Sequence, residues 1–156
     1  MSFSETQMKK VCNFYVSEWH MLTSVIPYVQ KQFDKENDVI VVSKQELKEK
    51  VEILISRLNL KEENKNKILD LKYYHNIEDV KTNDKNLTII ISGENNFIEN
   101  SNNKLKRNLV SKGRYVTVVN CYEILDTKQN MTQILNEHSK VLNVSGEQEI
   151  NEAFPN

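Results

Sequence analysis

The sequence predicts an α/β fold: a single three-layer domain with a mostly parallel central sheet of about five strands flanked by helices. Three observations carry this. Apolar runs of strand composition alternate along the chain with apolar stripes of helical period. The strand-like runs are continuous in apolar character, which marks strands buried on both faces and so a parallel sheet covered by helices. Finally, 156 residues with 38% apolar and 28% charged content form one domain's worth of chain, enough to bury a core without disulfides or metal. No repeat or boundary divides residues 1–156, and the core is expected over 10–154.

The elements follow in order. Val11 to Val16 has strand composition. Ser17 offers an N-cap oxygen, and Leu22, Val25, Ile26, Val29 and Phe33 form one face of a helix, with Pro27 inside it expected to bend the helix near Thr23. Asp38 to Val42 reads as a buried strand. Ser43 and Glu46 have capping-box spacing, opening a second helix with Leu47, Val51, Leu54, Ile55 and Leu58 on its inner face. Lys67 to Tyr74 reads as a strand and 76–86 as a surface loop. Leu87 to Ile91 is a strand, followed by a helix over Asn95 to Lys112 bearing Phe97, Ile98, Leu105, Leu109 and Val110. Gly113 suits its C-cap. Arg114 to Ile124 is the clearest strand. Met131, Ile134, Leu135, His138, Val141 and Leu142 form a helical stripe. Ser145 to Gln148 reads as a second capping box, opening a last helix with Ile150, Ala153 and Phe154.

Charge excludes some functions. Lys+Arg is 21 and Asp+Glu is 22, a balance that argues against nucleic-acid and membrane-surface partners. The cluster Lys104 to Arg107 reads as a solvated helix face. The longest apolar run, Val39 to Val42, is too short to span a membrane, and Met1 to Lys10 lacks a signal-peptide core. A cytoplasmic location is expected.

Few residue patterns suggest chemistry. Both cysteines, Cys12 and Cys121, lie in apolar runs and read as buried thiols. Cys121 sits near a strand end, so it is the better nucleophile candidate, with His20, His75 and His138 as bases. The histidines have no metal-ligand spacing, and no metal or cofactor is expected. His138 lies on an apolar stripe, which favours a hydrogen-bonded core or interface histidine. Ser92-Gly93-Glu94 follows a strand and precedes a helix, where backbone N–H groups can face an anion. The chain has neither glycine-rich phosphate motif, so ordinary turn chemistry is favoured there. Phe14, Tyr15, Trp19 and Tyr28 form core or line an apolar pocket.

Three segments carry a family resemblance: Val11-Cys12-Asn13-Phe14-Tyr15-Val16-Ser17-Glu18 with Ile26-Pro27-Tyr28, then Ile89 to Glu94, then Val119-Asn120-Cys121-Tyr122 with His138 and Val141 to Glu147. Over about residues 10 to 154 the chain resembles the MEDS family, the methanogen/methylotroph DcmR-type sensory domain. The resemblance implies a RecA/KaiC-like α/β fold that has lost its nucleotide loop. It implies a non-catalytic sensory or regulatory role in bacterial signal transduction, with a small organic ligand or a signalling partner, a histidine kinase or transcription regulator. The family's DNA-binding and kinase modules are not found here, so output is expected to pass through a separate partner. A homodimer is left open. Cys12, Tyr15, Glu18, Ser92, Gly93, Cys121, Tyr122 and His138 are the ligand-binding candidates. Two alternatives stand beside this reading: a small enzyme using a cleft Cys/His at the carboxyl edge of the sheet, and a plain interaction subunit docking through its last helix.

Overall fold

Seven strands form one sheet in the order β3-β2-β4-β5-β1-β6-β7, in a computed structural model that describes residues 8–80, 86–108 and 115–154. The strands are β1 (Met8–Tyr15), β2 (Asp38–Ser43), β3 (Lys72–Tyr74), β4 (Asn86–Ser92), β5 (Tyr115–Glu123), β6 (Lys140–Asn143) and β7 (Gly146–Glu149). All neighbours pair in parallel except β6 and β7, which form an antiparallel hairpin. The helices are α1 (Glu18–Asp34), α2 (Lys48–Arg57), α3 (Glu62–Leu69), α4 (Asn95–Asn108), α5 (Ile124–Thr127), α6 (Met131–Asn136) and α7 (Ile150–Ala153). The α/β class holds, with two strands more than the sequence suggested.

Chain direction sets the layers. From β1 to β2 and from β2 to β3 the chain moves toward one edge. From β3 to β4, β4 to β5 and β5 to β6 it moves toward the other. Right-handed crossovers then place the two groups of connections on opposite faces. One face carries α1, α2 and α3 over Val11, Tyr15, Val41, Ile90, Val119 and Cys121. The other carries Ile98 and Leu105 of α4 and Ile134 of α6 over Cys12, Val42, Ile89, Val118 and Tyr122. The central strands are buried on both sides, as their unbroken apolar runs require.

Several local expectations change. Ser17 caps α1 as expected, its hydroxyl accepting from His20 N at 3.2 Å, and the helix runs on through Pro27. Ser43 does not cap α2. It ends β2, and its Oγ takes Gln45 N at 2.9 Å and pairs with Ser92 Oγ at 2.6 Å, while α2 starts after Leu47. The cross-strand serine pair competes successfully for the hydroxyl. Lys67 to Tyr74 divides into the end of α3 and the short β3, because Ile68 and Leu71 turn inward to the α1 layer. Within 76–86, Ile77–Asp79 is a 3-10 turn and Asn86 already belongs to β4. Leu109, Val110 and Gly113 lie outside the described residues.

The stripe over 131–142 is not one helix. α6 stops at Asn136, and Val141 and Leu142 are strand residues facing opposite layers. Their apolar spacing fits both periods, and the open edge of β1 selects the strand. The second capping box is a hairpin instead. Gly146 adopts φ +103°, which an L side chain rarely takes, and the turn delivers Glu147 to Lys9 at 2.6 Å. β7 is polar and short, a suitable edge.

Candidate functional site

Alternation along β1 and β5 separates the sequence candidates into two sets. Tyr15, Ser92 and Cys121 face the α1 layer, while Cys12 and Tyr122 face the α4 layer with His138. They do not form one pocket.

The first set is closed. Tyr15 Oη accepts from Gln45 Nε2 at 3.1 Å, and burial pushes the phenol up to about 12. Cys121 lies beside Ser92 in register and is wholly buried. Burial raises its thiol pKa, so the thiolate is strongly disfavoured. Glu18 lies outside this cluster on α1 and pairs with Lys50 at 2.7 Å. Gly93 has φ +150°, and a Cβ there would meet the Phe97 ring at 2.8 Å. Lys44 Nζ lies 5.2 Å from the centre of that ring. The turn is closed by Phe97, so Gly93 serves packing between β4 and α4 rather than an open anion cradle.

The second set underlies a groove. Cys12 is its closed member: its Sγ donates to Lys140 O at 3.6 Å and burial pushes the thiol up to about 12. Cys12 and His138 share this face, whereas Cys121 is across the sheet, so Cys121 and His138 cannot act as a pair. Tyr122 stacks on Phe14 and meets the His138 ring edge-on.

His138 anchors a buried polar network. Its Nδ1 lies 2.6 Å from Ile134 O, so Nδ1 carries the proton and donates. Its Nε2 accepts from Asn120 Nδ2 at 3.0 Å. Asn120 and Asn102 exchange two amide hydrogen bonds, and Asn102 Nδ2 also donates to Ile98 O at 2.8 Å. Burial, with Lys10 adding to it, pushes His138 down to about 4, against the opposing hydrogen bond to Ile134. The neutral ring is the form this network fits.

Above the network runs the groove, between α4, β1 and the segment joining α6 to β6. Two adjoining cavities of about 410 and 340 Å³ compose it, sharing Lys10, Asn102, Asn103 and Glu137. Carboxamides are abundant in the lining: Asn95, Asn102, Asn103, Asn130, Gln133 and Asn136. Lys10 lies in both halves. Burial lowers its pKa, opposed by Glu137 and reinforced by Lys106. Sequence reading missed Lys10, Asn102 and Glu137. The available signal was a lysine two residues before Cys12, on the same face of a strand that is otherwise buried there.

Among the described residues no three His, Cys, Asp or Glu side chains converge as a metal site, and no helix is long and apolar enough to cross a membrane. Comparison with known proteins finds no matching family model, curated protein or solved structure.

Proposed function

We propose that this chain is a non-catalytic sensory or regulatory domain that binds a small polar organic ligand in the groove between α4, β1 and the α6–β6 segment. One observation carries the reading: an amide-lined groove of ligand size lies over a hydrogen-bonded network whose only histidine is committed to structure. The two thiols that would serve an enzyme are buried and held protonated. The MEDS-like segments fit the same role, since Asn120, Tyr122 and His138 of that resemblance lie under or beside the groove. A signalling protein in the cytoplasm would then read the liganded state, which requires different ligand affinity in two states.

A thermal-shift screen against nucleotides and small organic metabolites tests this. A ligand at 100 times its dissociation constant adds about 2.7 kcal/mol to stability, a readily measured rise in Tm. Asn103 is exposed on α4 and lines both cavities, so Asn103→Trp fills the groove. The shift should vanish in that variant. Failure of every compound on the wild-type protein would overturn the reading.

One observation favours the interaction reading as a second. Val16, Leu125 and Val144 follow the carboxyl ends of β1, β5 and β6, neighbours in the sheet, and are 70%, 69% and 64% exposed. Solution mass by light scattering, before and after Leu125→Glu, tests whether this rim joins two copies. An unchanged monomer mass would sink that form of the idea.

A further inference from the structure

Resting on the groove as the ligand site, we infer that its ligand is a small organic monoanion with hydroxyl donors at the end remote from its carboxylate, the chemistry of sugar acids. Two features of the lining argue for it.

The first is Lys10. Its neighbour Lys9 points to the other face and is paired with Glu147 at 2.6 Å. Among the described residues Lys10 Nζ forms no contact ion pair, and Glu137 and Glu99 act on it only through space, although it is half-buried in the middle of the groove. A partly desolvated ammonium with no carboxylate in contact is costly, and a bound carboxylate at Lys10 relieves that cost. Lys106 lines the same cavity and favours the same sign.

The second is the polarity of the groove. The half holding Lys106 also holds Asn136 and Ser139, while Lys10, Asn102 and Asn103 are common to both halves. The other half holds Glu99, Asn95, Asn130 and Gln133, a wall with acceptors suited to hydroxyl donors. Glu137 lies in both halves. Its charge, with Glu99 beyond, opposes a dianion such as a phosphate monoester while leaving a single carboxylate at Lys10 favourable. Cavities of about 410 and 340 Å³ accommodate a molecule of this size.

Titration calorimetry on the whole chain tests the ligand class. The probes are linear sugar acids, each set against the sugar alcohol that lacks its carboxylate. The expected result is a carboxylate probe binding at least about tenfold tighter than its neutral counterpart. Lys10→Met and, independently, the exposed Lys106→Gln should each reduce that preference. If Lys10→Met fails to fold, Lys106→Gln and the neutral counterparts still decide. Equal binding of the neutral counterparts, or an undiminished preference in both folded variants, would overturn the ligand class while leaving the groove as a site. Binding that survives Asn103→Trp would instead remove the groove. If no carboxylate probe binds, the class fails, and the metabolite screen above decides the groove separately.

Discussion

Asn102 and Asn120 hold each other by two reciprocal amide hydrogen bonds of 2.8 and 3.1 Å, and this pair ties α4 to the centre of the sheet beneath the groove. Asn120 spends its remaining donor on His138 Nε2. Three segments distant in sequence thus meet in one satisfied polar cluster within an apolar layer.

Removing the central member should therefore be expensive. Asn120→Ala leaves Asn102 Oδ1 and His138 Nε2 buried without donors, a destabilisation of about 2–4 kcal/mol. Urea denaturation measures it. Asn120→Asp should instead raise the His138 pKa well above 4, because a carboxylate beside Nε2 favours the imidazolium. An NMR titration of the ring that finds no rise would show that Asn120 does not control this histidine.

The same histidine sets an acid response. Its folded pKa of about 4 lies below its ordinary 6.5, so between these values the unfolded chain binds a proton that the folded chain does not. Stability is full above pH 6.5 and falls as pH drops toward 4, by about 3 kcal/mol in total. Denaturation midpoints at pH 7, 5.5 and 4 check this, with His138→Gln expected to flatten that part of the profile. Glu147 acts lower. Burial alone would raise its pKa, but Lys9 and Tyr28 outweigh burial and lower it, so its contribution is lost only as pH falls below the ordinary carboxylate value.

Thiol chemistry provides a third check. Cys12 and Cys121 are both 0% exposed and burial disfavours both thiolates. Alkylation by iodoacetamide at pH 8, followed by mass spectrometry, should run at least about 100-fold slower in the native protein than in urea. Rapid native labelling of Cys121 would restore the nucleophile reading.

Gly93 gives a fourth. Gly93→Ala places a Cβ 2.8 Å from the Phe97 ring at a φ of +150°, costing about 1–3 kcal/mol. Adding Phe97→Ala should recover the steric part of that loss. A double-mutant cycle with no coupling would mean that the ring is not what the glycine accommodates.

The sequence by itself determined the α/β class, the parallel sheet and most of its elements. Unbroken runs such as Ile89-Ile90-Ile91 admit no solvent-facing side, and the Ser17 cap and the helical stripe after it are local signals. It also exposed His138 as a buried, hydrogen-bonded residue through its place among apolar neighbours. Only tertiary structure decided which candidates share a face. Cys121 and Tyr122 are adjacent in sequence yet lie on opposite sides of the sheet, because a strand alternates its side chains. It also decided what Val141 and Leu142 become, since the free edge of β1 turns a helix-like spacing into a strand. The groove needed it most: Lys10 of β1, Asn102 of α4 and Glu137 of the segment after α6 are far apart in sequence, and no local pattern records that crossovers bring them together.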